Sequence, residues 1–156
     1  MPPEFLTKKG FKKLEEELEN LLTAKRKEVA ERLAEAAENS LGEFVEDPEF
    51  EAAKNEQSFV EGRIRELEVL LANAQVISKR RNKNGTIEVG SKVTIKEGRL
   101  KPEEYMIVGA VEANPRDGKI SHESPLGQAL LGQKEGDKVD VDAPSGSFAV
   151  KVVEVK

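Results

Sequence analysis

One periodic run constrains this chain more than any other feature. Phe50, Ala53, Gln57, Val60, Ile64, Leu67, Leu71 and Ala74 alternate in steps of three and four. That spacing is the seam of a helix whose apolar stripe lies against another helix. A partner precedes it. Phe11, Leu14, Leu18 and Leu21 keep the same spacing, and Val29, Leu33 and Ala36 continue the stripe to a helix end near Asn39. Lys25 occupies a seam position where an apolar residue is due, a substitution that costs stability and fixes register. The connection between the two helices is short, so they must run antiparallel. Phe11 is then expected near Ala74, Leu18 near Leu67, and Leu33 near Phe50 or Ala53. At 1.5 Å per residue each helix reaches about 40 Å.

The connection is acidic. From Glu38 to Ala53 it holds Glu38, Glu43, Glu46, Asp47, Glu49 and Glu51, and no Lys or Arg. Gly42 and Pro48 punctuate it. Asp47-Pro48 reads as an N-cap followed by proline at the first helical position. Glu49 and Glu51 fall in the first turn, where the helix dipole favours anions. The expectation is a hairpin, residues 1–77, whose tip at 39–48 carries carboxylates.

After Gln75-Val76-Ile77-Ser78 comes a basic connector at 78–84, with Lys79, Arg80, Arg81 and Lys83. Beyond Gly85 the period shortens towards two. Thr86–Val89, Lys92–Lys96, Glu104–Val108, Lys138–Val141 and Ser147–Val155 read as strands of an antiparallel sheet. Ser124-Pro125 opens a short helix that Gly132 ends. Residues 85–156 thus form a small α+β domain.

Composition narrows the function. Charged residues make up 35% of the 156 residues and aromatics 4%, thin material for one large core. The net charge of −5 is uneven: residues 1–77 sum to −7 and residues 78–156 to +2. An acidic half argues against non-specific wrapping of nucleic acid. No Cys is present, which excludes disulfides and thiolate metal sites, and His122 is the one histidine. The start of the chain has no signal-peptide pattern, and no apolar run approaches the roughly 20 residues that span a bilayer. A cytoplasmic protein is expected.

Four stretches, in order, carry a resemblance: Leu6–Leu18, Glu49–Ile64, Leu71–Ile77, and Ser124-Pro125-Leu126-Gly127 through Gly136-Asp137. In them the chain resembles the GreA/GreB family of bacterial transcript-cleavage factors, on its GreA side. The resemblance implies an N-terminal antiparallel coiled coil and a C-terminal FKBP-like domain. It implies a monomeric accessory factor, not itself an enzyme, that enters the secondary channel of RNA polymerase. There it stimulates the polymerase's own cleavage of backtracked RNA 3′ ends. Glu43, Glu46 and Asp47 match the catalytic tip. Glu43 and Glu46 would share a Mg²⁺ with the polymerase, Lys54 would contact the nascent RNA, and Ser124, Pro125 and Leu126 would dock on the polymerase. At the tip Glu43 stands where such factors carry Asp, Asp47 where they carry Asn, and Phe50 where they carry Tyr. A channel-binding inhibitor is the alternative. An FKBP-type prolyl isomerase is more remote, because Tyr105 and Phe148 are the only aromatics available to line its apolar pocket.

Overall fold

The computed structural model describes residues 2–39, 47–78 and 85–156. The chain divides into two compact units: Phe11–Asn73, and the segments on either side of it, up to Gly10 and from Ala74 onward.

The first unit is the helical hairpin. Helix α1 (Lys8–Asn20) begins in the flanking segment and passes through a π-helical turn, Leu21–Lys25, into α2 (Arg26–Asn39). Helix α3 spans Pro48–Ala72. The π turn has a cause in the sequence. Strict alternation would place the core residue after Leu21 and Lys25 at Glu28. Val29 is one position later, and it is the buried one, at 2% exposure. A π turn absorbs one extra residue without breaking the helix. Here the Arg26 N–H donates to the Leu21 carbonyl.

Val29 packs with Val60 and Ile64, flanked by Leu18 and Leu21. Partners on α3 descend as the first helix ascends: Glu17 bonds Arg63 at 2.8 Å, Lys25 bonds Glu56 at 2.8 Å, and Arg32 also pairs with Glu56. The helices are therefore antiparallel, as expected. The seam differs in one place. Gln57 is exposed, and Glu56, half-buried, is the residue that faces the first helix. Lys25 is thus not a lone polar intruder. Its charge is met by a carboxylate opposite.

The seam also ends earlier than its period suggests. Asn73 caps α3, and Ala74 begins a strand. That strand, β2 (Ala74–Val76), pairs in parallel with β1 (Glu4–Leu6). Both belong to the second unit rather than the hairpin. Thr7 caps α1, accepting from the Gly10 N–H at 3.0 Å. Its own N–H and hydroxyl donate to the two oxygens of Glu112, at 2.6 and 2.7 Å.

The rest of the second unit is a five-stranded sheet, ordered β5-β4-β3-β7-β6. Its strands are β3 (Lys92–Lys96), β4 (Glu103–Val108), β5 (Lys119–Ser121), β6 (Lys138–Ala143) and β7 (Gly146–Val155). Helix α4 (Pro125–Leu130) follows β5. The core is aliphatic: Ile87, Val93, Ile107, Leu130, Val141 and Val152 are 0–1% exposed. Two expectations need correcting. Thr86–Val89 forms no strand; Thr86 makes an isolated bridge to Lys134, and Ile87 exchanges backbone bonds with Gln133 and Gly132. The sheet is not wholly antiparallel, since β5 runs parallel to β4. The sheet-with-helix α+β architecture stands. Of the connector, Lys79 to Asn84 lie outside the described residues.

Candidate functional site

Of the expected tip carboxylates, Glu43 and Glu46 lie outside the described residues. Asp47 is described. Its backbone is extended (φ −82°, ψ 114°), and its Oδ1 accepts from the Glu49 N–H at 3.0 Å. The Glu51 N–H reaches the Asp47 carbonyl at 3.1 Å. Asp47 therefore caps α3, with Pro48 at the first helical position as the sequence predicts. One carboxylate oxygen serves the cap, so Asp47 is tied to the rigid helix.

Lys54 lies one turn on from Phe50, and its ammonium is 5.4 Å from the centre of that ring. Such stacking holds a cation loosely in place while leaving it exposed. A cleft of about 390 Å³ lies between the helices here, lined by Arg32, Glu35, Ala36, Asn39, Pro48, Glu49, Ala52 and Ala53. Arg32 is committed to Glu56. Lys54 is thus the cation of α3's first turns that no carboxylate engages among the described residues.

The second expected site, Ser124-Pro125-Leu126, begins α4. Ser124 Oγ accepts from the Gly127 N–H at 3.1 Å and donates to the Ser121 carbonyl at 2.6 Å. Pro125 is exposed, and Leu126 is half-buried against the sheet core. Gly127 is required here. A Cβ on it would lie 2.1 Å from the Ser121 carbonyl oxygen. Beside this turn the His122 ring meets Phe5 edge-on, centroids 5.2 Å apart, and the His122 N–H bonds the Val108 carbonyl. The turn is therefore braced from two sides, with Pro125 exposed. Sequence reasoning did not single out Glu56 or Glu112, the carboxylates that organise the seam and the start of α1. Their signals are pairings distant in sequence, invisible to local periodicity.

The family model "Transcription elongation factor, N-terminal" matches residues 4–76, and "Transcription elongation factor, GreA/GreB, C-term" matches residues 82–156. The chain belongs to the GreA/GreB transcription elongation factor family. A transcription elongation factor GreA of Clostridium acetobutylicum is 48% identical over 97% of this chain and 95% of its own. GreA of Thermoanaerobacter pseudethanolicus is 47% identical over 99% and 98%. Among solved structures, GreA factor homolog 1 of Thermus thermophilus is 32% identical over 99% of both chains, with a TM-score of 0.45. Membership in the GreA/GreB family covers both units. No described helix is long and apolar enough to cross a membrane.

Proposed function

We propose that this chain acts on bacterial RNA polymerase in the cytoplasm, as an accessory factor rather than an enzyme. It enters the secondary channel and stimulates the polymerase's own cleavage of backtracked RNA 3′ ends. The observation that carries this reading is Asp47. It is fixed by its cap at the end of an ion-paired antiparallel hairpin, in a chain whose family is that of GreA and GreB.

The division of labour follows from the side chains. A Mg²⁺ held between factor and polymerase would activate a water and neutralise charge on the cleaved phosphate. Carboxylate oxygens are the ligands Mg²⁺ takes, usually only one or two from a given protein. Glu43 and Glu46 supply that donor type. One or two carboxylates leave most of the Mg²⁺ coordination shell open, so the ion would be shared with the polymerase. Asp47 adds negative charge from a rigid position. Lys54, stacked on Phe50, offers a cation to an RNA phosphate. Ser124, Pro125 and Leu126 form a small, rigid, partly apolar surface for docking on the polymerase.

The test is an in vitro cleavage assay on halted elongation complexes. The intact protein is expected to release short 3′ fragments and restore elongation. Glu46→Ala abolishes release while leaving polymerase binding intact. Asp47→Asn keeps the helix cap, because Asn caps as well as Asp, so any loss of cleavage in it reports charge rather than fold. Channel binding with no added cleavage by the intact protein would favour the inhibitory reading. Cleavage that survives loss of Glu43, Glu46 and Asp47 together would overturn the mechanism.

A further inference from the structure

The sheet carries a row of lysines for which the fold has no use. Lys96 on β3 is the register partner of Lys151 on β7, and Lys151 is the partner of Lys138 on β6. Directly opposed residues on neighbouring strands share a face. The three side chains therefore stand abreast across three strands, spaced about 4.8 Å per strand. All three are exposed, while Val150 and Val152 beside Lys151 point into the core. None is ion-paired among the described residues. Like charges directly opposed destabilise a sheet, and Asp140, two residues from Lys138 on the same face of β6, forms no ion pair with any of the three.

The row floors an open groove of about 860 Å³, whose lining also includes Gly98, Glu135, Gly136, Ala149 and Val153. Apolar surface is available there. Val153, in its lining, is 40% exposed.

We propose that this face docks an acidic, extended segment of a partner protein. Its carboxylates would meet Lys96, Lys151 and Lys138, and an apolar side chain would cover Val153. Charge complementarity selects an anion. The groove's other features select protein over nucleic acid: no aromatic ring lines it for base stacking, and the exposed Val153 offers an apolar contact that a phosphate backbone cannot use. The surface is separate from the Ser124 turn. That turn opens α4, whose Leu126 and Leu130 pack on the core face of the sheet, whereas the lysines stand on the other face.

The test is a titration of the full-length, isotopically labelled protein followed by amide NMR shifts. The probes are a short synthetic peptide of Glu and Leu and a single-stranded oligothymidylate of similar length. The peptide is expected to give saturable shifts at Gly98, Gly136, Lys138 and Lys151. Combined Lys96→Gln, Lys138→Gln and Lys151→Gln weakens its binding about tenfold. Added salt weakens it too, and the same substitutions at Lys12, Lys13 and Lys27 leave it unchanged. If the triple variant loses its native spectrum, the three single variants carry the comparison, each weakening binding by a smaller factor. Absence of saturable shifts, shifts confined elsewhere, or equal weakening by the control set would overturn the proposal. Oligothymidylate occupying the row while the peptide does not would overturn it in favour of nucleic acid. No polymerase is needed, so the result is independent of the cleavage assay.

Discussion

Two glycines at close approaches answer differently to the same substitution. In Gly127→Ala the new methyl meets backbone, the carbonyl of Ser121, which cannot swing away. A loss of about 1–3 kcal/mol is expected, seen as a lower urea midpoint. In Gly10→Ala the methyl meets the carboxylate end of Glu112 at 2.1 Å. That flexible end can move off, giving up its bonds to Thr7. The helix gains about 1 kcal/mol from replacing glycine with alanine, so the net change should be near zero. Glu112→Ala loses the same bonds without that gain and should destabilise by about 1–2 kcal/mol. Tyr105, the one tyrosine, offers a spectroscopic check. Its hydroxyl donates to Glu103, which with partial burial pushes its pKa up to about 12. The folded protein thus holds this proton through pH 10, where an ordinary tyrosine is half-ionised. The associated stability is present below pH 10 and is lost as pH rises towards 12. Absorbance titration should show the delayed ionisation, and Glu103→Gln should bring it back towards the ordinary value.

The π turn, the seam pairs and the sheet register decide behaviour at the level of elements. Because the turn holds one surplus residue, deleting the exposed Thr23 should convert Leu21–Lys25 to α-helix and leave Val29 on the seam. Helical circular dichroism and thermal stability are expected to hold or rise. Deleting Gln57 from the regular α3 should instead move Ala53 off the seam and unfold the hairpin. The seam pairs also set its acid response. The Lys25 hydrogen bond holds the Glu56 carboxyl below its ordinary value of 4.5, and Arg26 does the same for Glu61. The unfolded chain then binds more protons than the folded one as the medium turns acidic. The stability these pairs contribute is complete above pH 4.5 and falls as pH drops further. Glu56→Gln should flatten that part of the stability–pH curve in a series of urea melts.

Across the molecule, what was legible in the sequence was local and repetitive. The seam of α3, the Asp47-Pro48 and Ser124-Pro125 caps and the alternation of β3 and β7 all depend on neighbours a few residues apart. What escaped the reading depends on distant partners. Gln57 keeps the strict 3–4 alternation and Glu56 breaks it, so periodicity alone favours Gln57 until Lys25 is known to stand opposite Glu56. β1 and β2 are three residues each, too short for a period, and exist because they pair with one another. The Ser124 turn was legible as a cap, while its bracing by Phe5 and His122 was not. The two units also differ in core. The hairpin's buried cluster is Val29, Val60 and Ile64, whereas the sheet unit has a continuous aliphatic core of ten residues. Chains with unequal units depart from two-state unfolding. On heating, the helical signal should fall before the fluorescence of Tyr105, which belongs to the sheet unit; coincident transitions would show the units to be coupled.

The short β1–β2 pair has a consequence of its own. The polypeptide departs from the sheet unit after Gly10 and rejoins it at Ala74, and the two stubs are stitched to each other in register. In genealogical terms the helical arm is a cassette. Its reach and its terminal chemistry could be rewritten, by evolution or by a protein engineer, while the host that carries it keeps its own hydrogen bonds.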